Sequence, residues 1–318
     1  MIQIFAAKVQ NPYFCGKIDG HMKNNSYFES LLQSPGMRVF LYLVILLICS
    51  LIGVLLAGAV MPFGDLGLKI GQGISSMMMF IAPPLLYYCL TRKEQQMKAL
   101  GFRKVTQPWL ILIGVMLMLT EMPILNQLME WNQAINLGPA FAKLEAWMKS
   151  LEESAETLTE RMLNVDTFGG LLLNLFIIAL IPAIGEEMTF RGVLQQSLTR
   201  HIKNPHVAIL VSAAVFSFIH FQFYGFFARM LAGLMLGYMF YITGSLWVSI
   251  LMHFINNGAS VVVYYLYHIG AIDDLESLNA TPSLGILIAC VTAVVVLLVL
   301  SWKHKTGRKS QTNLIAAE

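Results

Sequence analysis

Charge is scarce in this sequence. Asp, Glu, Lys and Arg together make up 12% of its 318 residues, and 57% are hydrophobic. A soluble domain runs near a quarter charged, so one water-soluble core cannot absorb this much apolar surface and lipid must cover a large part of it. Cysteine is scarce too. Cys15, Cys49, Cys89 and Cys290 show no CxxC or other metal-like spacing, and three of them lie in apolar runs, where a small hydrophobe is the simplest reading. There is no HExxH pair, no internal repeat and no low-complexity stretch. No basic stripe occurs outside the loops that flank apolar runs, which excludes a nucleic-acid footprint. The first apolar run begins only near Val39, after a mixed polar tail, and is long enough to span. It is expected to be a retained helix, not a cleavable leader.

What the sequence does contain is a series of apolar stretches, at roughly 38–61, 70–90, 107–127, 168–187, 206–222, 225–243, 245–267 and 283–302. Each has about the length that a ~30 Å hydrocarbon layer needs at ~1.5 Å per residue. The expected fold class is therefore all-α, a polytopic membrane protein of about eight transmembrane helices. Pro83 and Pro84 should kink the second span, and Pro182 with Gly185 should loosen the end of the fourth. Residues 139–163 differ in kind: Leu144, Trp147, Met148, Leu151 and Leu158 recur at helical spacing among many glutamates. That pattern predicts an amphipathic helix outside the membrane.

The expected organisation follows. A tail covers 1–37, three spans 38–127, the extracytoplasmic amphipathic segment 128–167, a core 168–267, and a last span with a basic tail 268–318. Lys and Arg concentrate beside both termini and in the 91–106 and 188–205 loops, whereas acidic residues dominate 139–166 and 273–276. The basic face is expected to be cytoplasmic, with both termini on it.

Three segments place ionisable groups in or beside apolar helices: Gly185-Glu186-Glu187-Met188-Thr189-Phe190-Arg191, Phe216-Ser217-Phe218-Ile219-His220, and His253-Phe254-Ile255-Asn256-Asn257. A charge at the bilayer centre costs at least about 2.5–3.5 kcal/mol, so such groups tend to line a cavity and to act there. Glu187 and Arg191 are four residues apart, on one helical face, and can pair. Glu186 is turned about 100° away and has no such partner. Two adjacent carboxylates in low dielectric cannot both ionise cheaply, which suits Glu186 to the work of a general base. His253 and Asn257 also share a face and can offer an imidazole and a carboxamide to a developing oxyanion. His220, from a third helix, can orient a water or bind a metal. Glu121, near Pro123, is read as an outer-interface residue, and His201, His206, His268 and His304 as solvated.

In combination, E-E-x-x-x-R, then F-x-x-x-H, then H-x-x-x-N, each on its own apolar helix, resembles the CPBP family. These are the CAAX-protease and bacteriocin-processing intramembrane endopeptidases, also called the Abi family. The matching residues are Glu186, Glu187, Arg191, Phe216, His220, His253 and Asn257. The resemblance implies a site in a membrane cavity opening toward the cytoplasm. There Glu186 and His220 would activate water, His253 and Asn257 would stabilise the tetrahedral intermediate, and Glu187 and Arg191 would support the site. Its substrates would be membrane-associated proteins or peptides. Members are often called metalloproteases, and Glu186, His220 and His253 would make the three protein ligands a catalytic zinc prefers. A metal-free mechanism asks less convergence of the chain and is the expectation here. A proton-coupled transporter and a non-catalytic membrane scaffold are the rival readings of the same residues.

Overall fold

A computed structural model describes residues 34–91, 96–275 and 281–304. The tail before residue 34, Arg92, Lys93, Glu276 and the basic residues Lys305, Arg308 and Lys309 lie outside them, as does Cys15. Every regular element among the described residues is helical, which is the all-α architecture expected. Ten helices organise it: α1 (Pro35–Val60), α2 (64–91), α3 (Gln96–Leu100), α4 (Trp109–Gln133), α5 (Ala142–Leu163), α6 (Phe168–Ile202), α7 (Pro205–Phe218), α8 (Phe226–Thr243), α9 (Leu246–His268) and α10 (Leu284–Lys303).

Six helical stretches among the described residues are long and apolar enough to cross a membrane. The expected eight resolve against them as follows. The first stretch, Gly36–Thr91, joins two expected spans, and it breaks at Gly64, whose φ of 76° is open to glycine at little cost. The chain folds back there, so that α1 packs along α2. The fifth expected span, 206–222, is cut short. Its helix, α7, ends at Phe218 after 14 residues, about 21 Å at the α-helical rise and less than a hydrocarbon layer needs. The fourth is longer than expected. Instead of stopping at Glu187, α6 runs 35 residues to Ile202, so Glu186 stands near its middle and not at a membrane face.

The prolines shape the contacts that matter. A widened turn over Met77–Ile81 precedes Pro83 and Pro84, and another over Leu175–Leu180 precedes Pro182. Lacking an N–H, each proline leaves a carbonyl of the preceding turn without its helical donor. The Phe80 carbonyl accepts from Thr189 Oγ1 at 3.0 Å, and the Ile178 carbonyl lies 3.5 Å from Asn257 Nδ2. Gly185 lets α2 and α6 touch, because a Cβ there would meet Phe80 Cβ at 2.8 Å and Phe80 backbone at 3.2 Å.

The amphipathic helix is present as α5, with one turn of tighter helix before it at Pro139–Phe141. It lies across one end of the bundle. Arg161 Nε donates to Asp65 Oδ1 at 2.8 Å, Glu152 Oε2 accepts from the Tyr224 N–H at 3.3 Å, and the Met162 carbonyl accepts from Asn174 Nδ2 at 2.9 Å.

Candidate active site in the membrane-spanning bundle

Glu187 and Arg191 are one turn apart in α6, and the spacing delivers the pair it predicts. Arg191 Nη1 donates to Glu187 Oε1 at 2.7 Å, with both side chains at most 1% exposed. Arg191 falls in the 188–205 stretch read as a basic loop, but it lies in the interior because α6 continues through it. Its Nη2 donates to the Gly233 carbonyl of α8 at 2.7 Å, and its guanidinium carbon lies 5.1 Å from the centre of the Phe216 ring. A charge this deep is tolerated only when paired and hydrogen-bonded, and Arg191 has a carboxylate, a carbonyl and an aromatic face.

Glu187 Oε1 also accepts from His253 Nδ1, at 3.0 Å. Arg191 and His253 therefore share one carboxylate oxygen; they do not compete for the residue. With Nδ1 turned to Glu187, His253 directs Nε2 toward Glu186, whose Oε2 is 3.7 Å away. Glu186 is the member of the pair that reaches the cavity. The adjacent carboxylates are thus sorted by helical rotation into one that binds the protein and one that faces an open space.

His220 does not sit inside a span. It lies just past the end of α7, held by Nδ1 on the Phe216 carbonyl at 2.8 Å and followed by Phe221 in a left-handed conformation, φ 54°. Such a φ is uncommon for a bulky residue. Phe216 packs among the functional groups themselves: its ring centre is 5.1 Å from that of His220 and 5.9 Å from that of His253. Asn257, one turn beyond His253, is held by Ile178 as described, and Asn256 Nδ2 donates to its Oδ1 at 3.2 Å.

Glu186, His220, His253 and Asn257 all line one cavity of about 500 Å³, within the usual size of a small-molecule or peptide site. The motif residues expected to act together are therefore together. Further polar residues share the lining, Asn126 of α4, Arg229 of α8, and Asn256, Ser260 and Tyr264 of α9. Arg229 went unremarked in the sequence because it belongs to no spaced pair. A single intramembrane arginine after His220 was the signal available. Its Nη1 and Nη2 donate to the carbonyl and the side-chain oxygen of Gln222 at 3.2 and 3.0 Å, so it braces the turn that carries His220.

Glu121 is not at an interface. It is 1% exposed, and neither of its carboxylate oxygens has a hydrogen-bond partner. Its aspect of α4 packs against the other helices, a placement the neighbouring Pro123 disguised. His206 is exposed, as expected, with its ring stacked 5.7 Å from that of Trp302.

The expected direction of the cavity and the expected placement of 128–167 do not fit together. From Glu186 the cavity runs past His220 and Arg229 to Met129, Tyr264 and Leu275, toward the end of the bundle that carries α5. It does not run toward the end where Lys and Arg collect. As to metal, no group of three or more His, Cys, Asp or Glu among the described residues comes together in a way that would hold an ion. Glu186, His220 and His253 share a cavity without forming a ready ligand set.

Residues 168–259 match the family model of Rce1-like proteins, described as type II CAAX prenyl endopeptidase Rce1-like. The match covers less than a third of the chain and contains all seven motif residues, from Glu186 to Asn257. No curated protein and no solved structure matches the chain. The segment 168–259 is thus similar to Rce1-like proteins, in keeping with the resemblance to the CPBP family read from the motifs.

Proposed function

We propose that the protein is an intramembrane endopeptidase that hydrolyses a peptide bond with a water activated by Glu186. The observation that carries this reading is the sorting of the two adjacent glutamates. Glu187 is wholly buried and engaged by Arg191 and His253, while Glu186 is left facing a cavity with His220, His253 and Asn257. The Rce1-like match over the same residues supports peptidase chemistry on independent grounds.

In this reading Glu186 takes a proton from a water held between it and His220, and the oxygen attacks the scissile carbonyl carbon. The Asn257 carboxamide donates to the oxyanion. His253 can donate from Nε2 only when its ring carries a second proton, because Nδ1 is already turned to Glu187. Glu186 then returns its proton to the leaving amine, in the usual exchange of base for acid. Because the cavity lies among apolar helices, these contacts act in lower dielectric and are stronger than they would be in water. No step requires a metal, and the reading is a metal-free one.

The test compares membrane-protein fragments in cells carrying the wild-type chain with cells carrying Glu186→Gln, which keeps shape and removes the base. A set of fragments should disappear with the substitution while the purified variant elutes and melts like wild type. Unchanged fragments would sink the assignment. Zinc is tested on the same preparations. Activity should survive dialysis against a strong chelator, and elemental analysis should find less than one zinc per chain. Loss on chelation with recovery on adding zinc would establish the metalloenzyme instead.

A further inference from the structure

The two ends of the bundle differ both in charge and in closure. At one end α3, the 101–108 loop, the 202–205 turn and the end of α10 meet. The Leu246 N–H donates to the Gly101 carbonyl at 2.8 Å, Ser245 Oγ to the Arg103 carbonyl at 2.6 Å, and the Trp109 ring lies 4.7 Å from that of His304. Its described charged residues are the cations Lys98, Arg103, Lys104, Arg200, Lys203 and Lys303. The opposite end carries α5 with Glu145, Glu152, Glu153, Glu156 and Glu160, joined by Asp65, Glu130 and Asp166. Lys143, Lys149 and Arg161 offset only part of that charge.

Between Glu186 and the basic end the interior is shut. Tyr88, Leu100, Met188 and Leu246 are each at most 1% exposed. Tyr88 donates its hydroxyl to the Gly192 carbonyl at 3.1 Å, and Gln196 Nε2 donates to the Ala99 carbonyl at 3.0 Å. The cavity extends from Glu186 in the other direction, to Met129, Tyr264 and Leu275 beside the acidic end. Lys and Arg mark the cytoplasmic loops of membrane proteins.

We propose that the cavity is open to the extracytoplasmic face, and that its substrate is an apolar segment of a membrane-anchored or exported polypeptide where that segment leaves the bilayer on that side. The apolar character follows from the wall that α4 presents, Met118, Met122, Leu125 and Met129. Unbranched methionines adapt to side chains of varied shape. Access from the extracytoplasmic face excludes a substrate presented only in the cytoplasm. The substrate class rests on the peptidase reading; the sidedness does not.

Three single-cysteine variants, Ser260→Cys in the cavity wall, Glu153→Cys on α5 and Lys203→Cys at the basic end, made without the native cysteines, test the sidedness. They are expressed in a bacterial inner membrane and treated with a membrane-impermeant maleimide in spheroplasts. Ser260→Cys and Glu153→Cys should react in intact spheroplasts, and Lys203→Cys only after permeabilisation. Protection of either of the first two until permeabilisation overturns the proposal. An epitope inserted after Glu153 of the chain with its native cysteines, probed by antibody on the same spheroplasts, should be accessible, and inaccessibility overturns the proposal even where the cysteine-free variants fail to fold. Labelling needs no turnover, so it is read identically in the Glu186→Gln background. For the substrate class, the fragments lost in Glu186→Gln cells should map to cuts in extracytoplasmic or outer-boundary segments. Cuts confined to cytoplasmic segments refute it, whereas an absence of Glu186-dependent fragments refutes the peptidase reading and leaves the labelling result standing.

Discussion

Glu187 and Arg191 are side chains whose removal should separate structure from chemistry. Arg191 satisfies a carboxylate and a carbonyl on two helices at once, at 2.7 Å each. Arg191→Ala strands Glu187 as a buried charge with only His253 beside it, a class of change that costs about 3–5 kcal/mol. The variant should melt well below wild type in detergent, and activity should fall with the folded fraction. Arg191→Lys should not rescue it, since one ammonium on a flexible stem does not reproduce a rigid fork spanning both acceptors. A variant that melts like wild type but is inactive would instead put Arg191 in the chemistry. Loss of Asn257, by contrast, should leave the fold intact and slow the reaction by roughly 10²–10³-fold if it serves the oxyanion. Glu186, Glu187, Arg191, His220, His253 and Asn257 were all legible as candidates, because helical spacing of four fixes which side chains share a face. That Glu187 Oε1 holds Arg191 and His253 together was not legible, since it depends on the approach of α9 to α6, which no local pattern encodes.

The turn between α7 and α8 is the element on which His220 depends. Sequence periodicity carried the apolar run through residue 222, since nothing between Phe218 and Gln222 is charged enough to end it. The helix stops at Phe218 because the chain must turn back there to bring α8 alongside α7, with Phe221 taking the left-handed conformation. The polar signals that fix this turn come from elsewhere. Ser217 Oγ donates to the Phe226 carbonyl at 2.7 Å, Asn132 Nδ2 to the Phe223 carbonyl at 2.9 Å, and Arg229 clasps Gln222. Conversely, α6 outran its apolar stretch because Glu186, Glu187 and Arg191 satisfy one another and their neighbours inside the bundle, so charged residues did not mark a membrane face. Arg229→Ala should release the turn without opening the core. The expected result is a kcat lowered by up to about 10²-fold, the cost of a small misplacement of a reacting group, with the melting temperature little changed. A large fall in melting temperature with unchanged kcat in the folded fraction would make Arg229 a structural residue only.

At the scale of the molecule, the motif-bearing segment and the unit that encloses the cavity are not the same. The motifs and the family match lie within 168–259, yet Met118, Met122, Leu125, Asn126 and Met129 of α4 line the cavity. Tyr42, Tyr88 and Leu100 of α1, α2 and α3 share the buried cluster that closes its basic end with Met188 and Leu246. Thr189 is tied to α1 and α2 through Tyr42 Oη at 3.3 Å and the Phe80 carbonyl at 3.0 Å. The spans of the first half carry no recognisable motif because their task is packing, which constrains size and polarity but not identity. A chain beginning at residue 168 should therefore insert yet fail to hold the site. It would deprive Thr189 and Gln196 of the Phe80 and Ala99 carbonyls they now meet on α2 and α3, and a polar group facing lipid without a partner is costly. By size exclusion in mild detergent it should run as aggregate, without Glu186-dependent cleavage. Co-expression of residues 34–133 as a separate chain should restore a monodisperse complex and activity, because the missing contacts are interhelical and need no covalent link. If the 168–318 chain alone were monodisperse and active, α4 would be dispensable to the cavity and the first half would have to serve something other than the site.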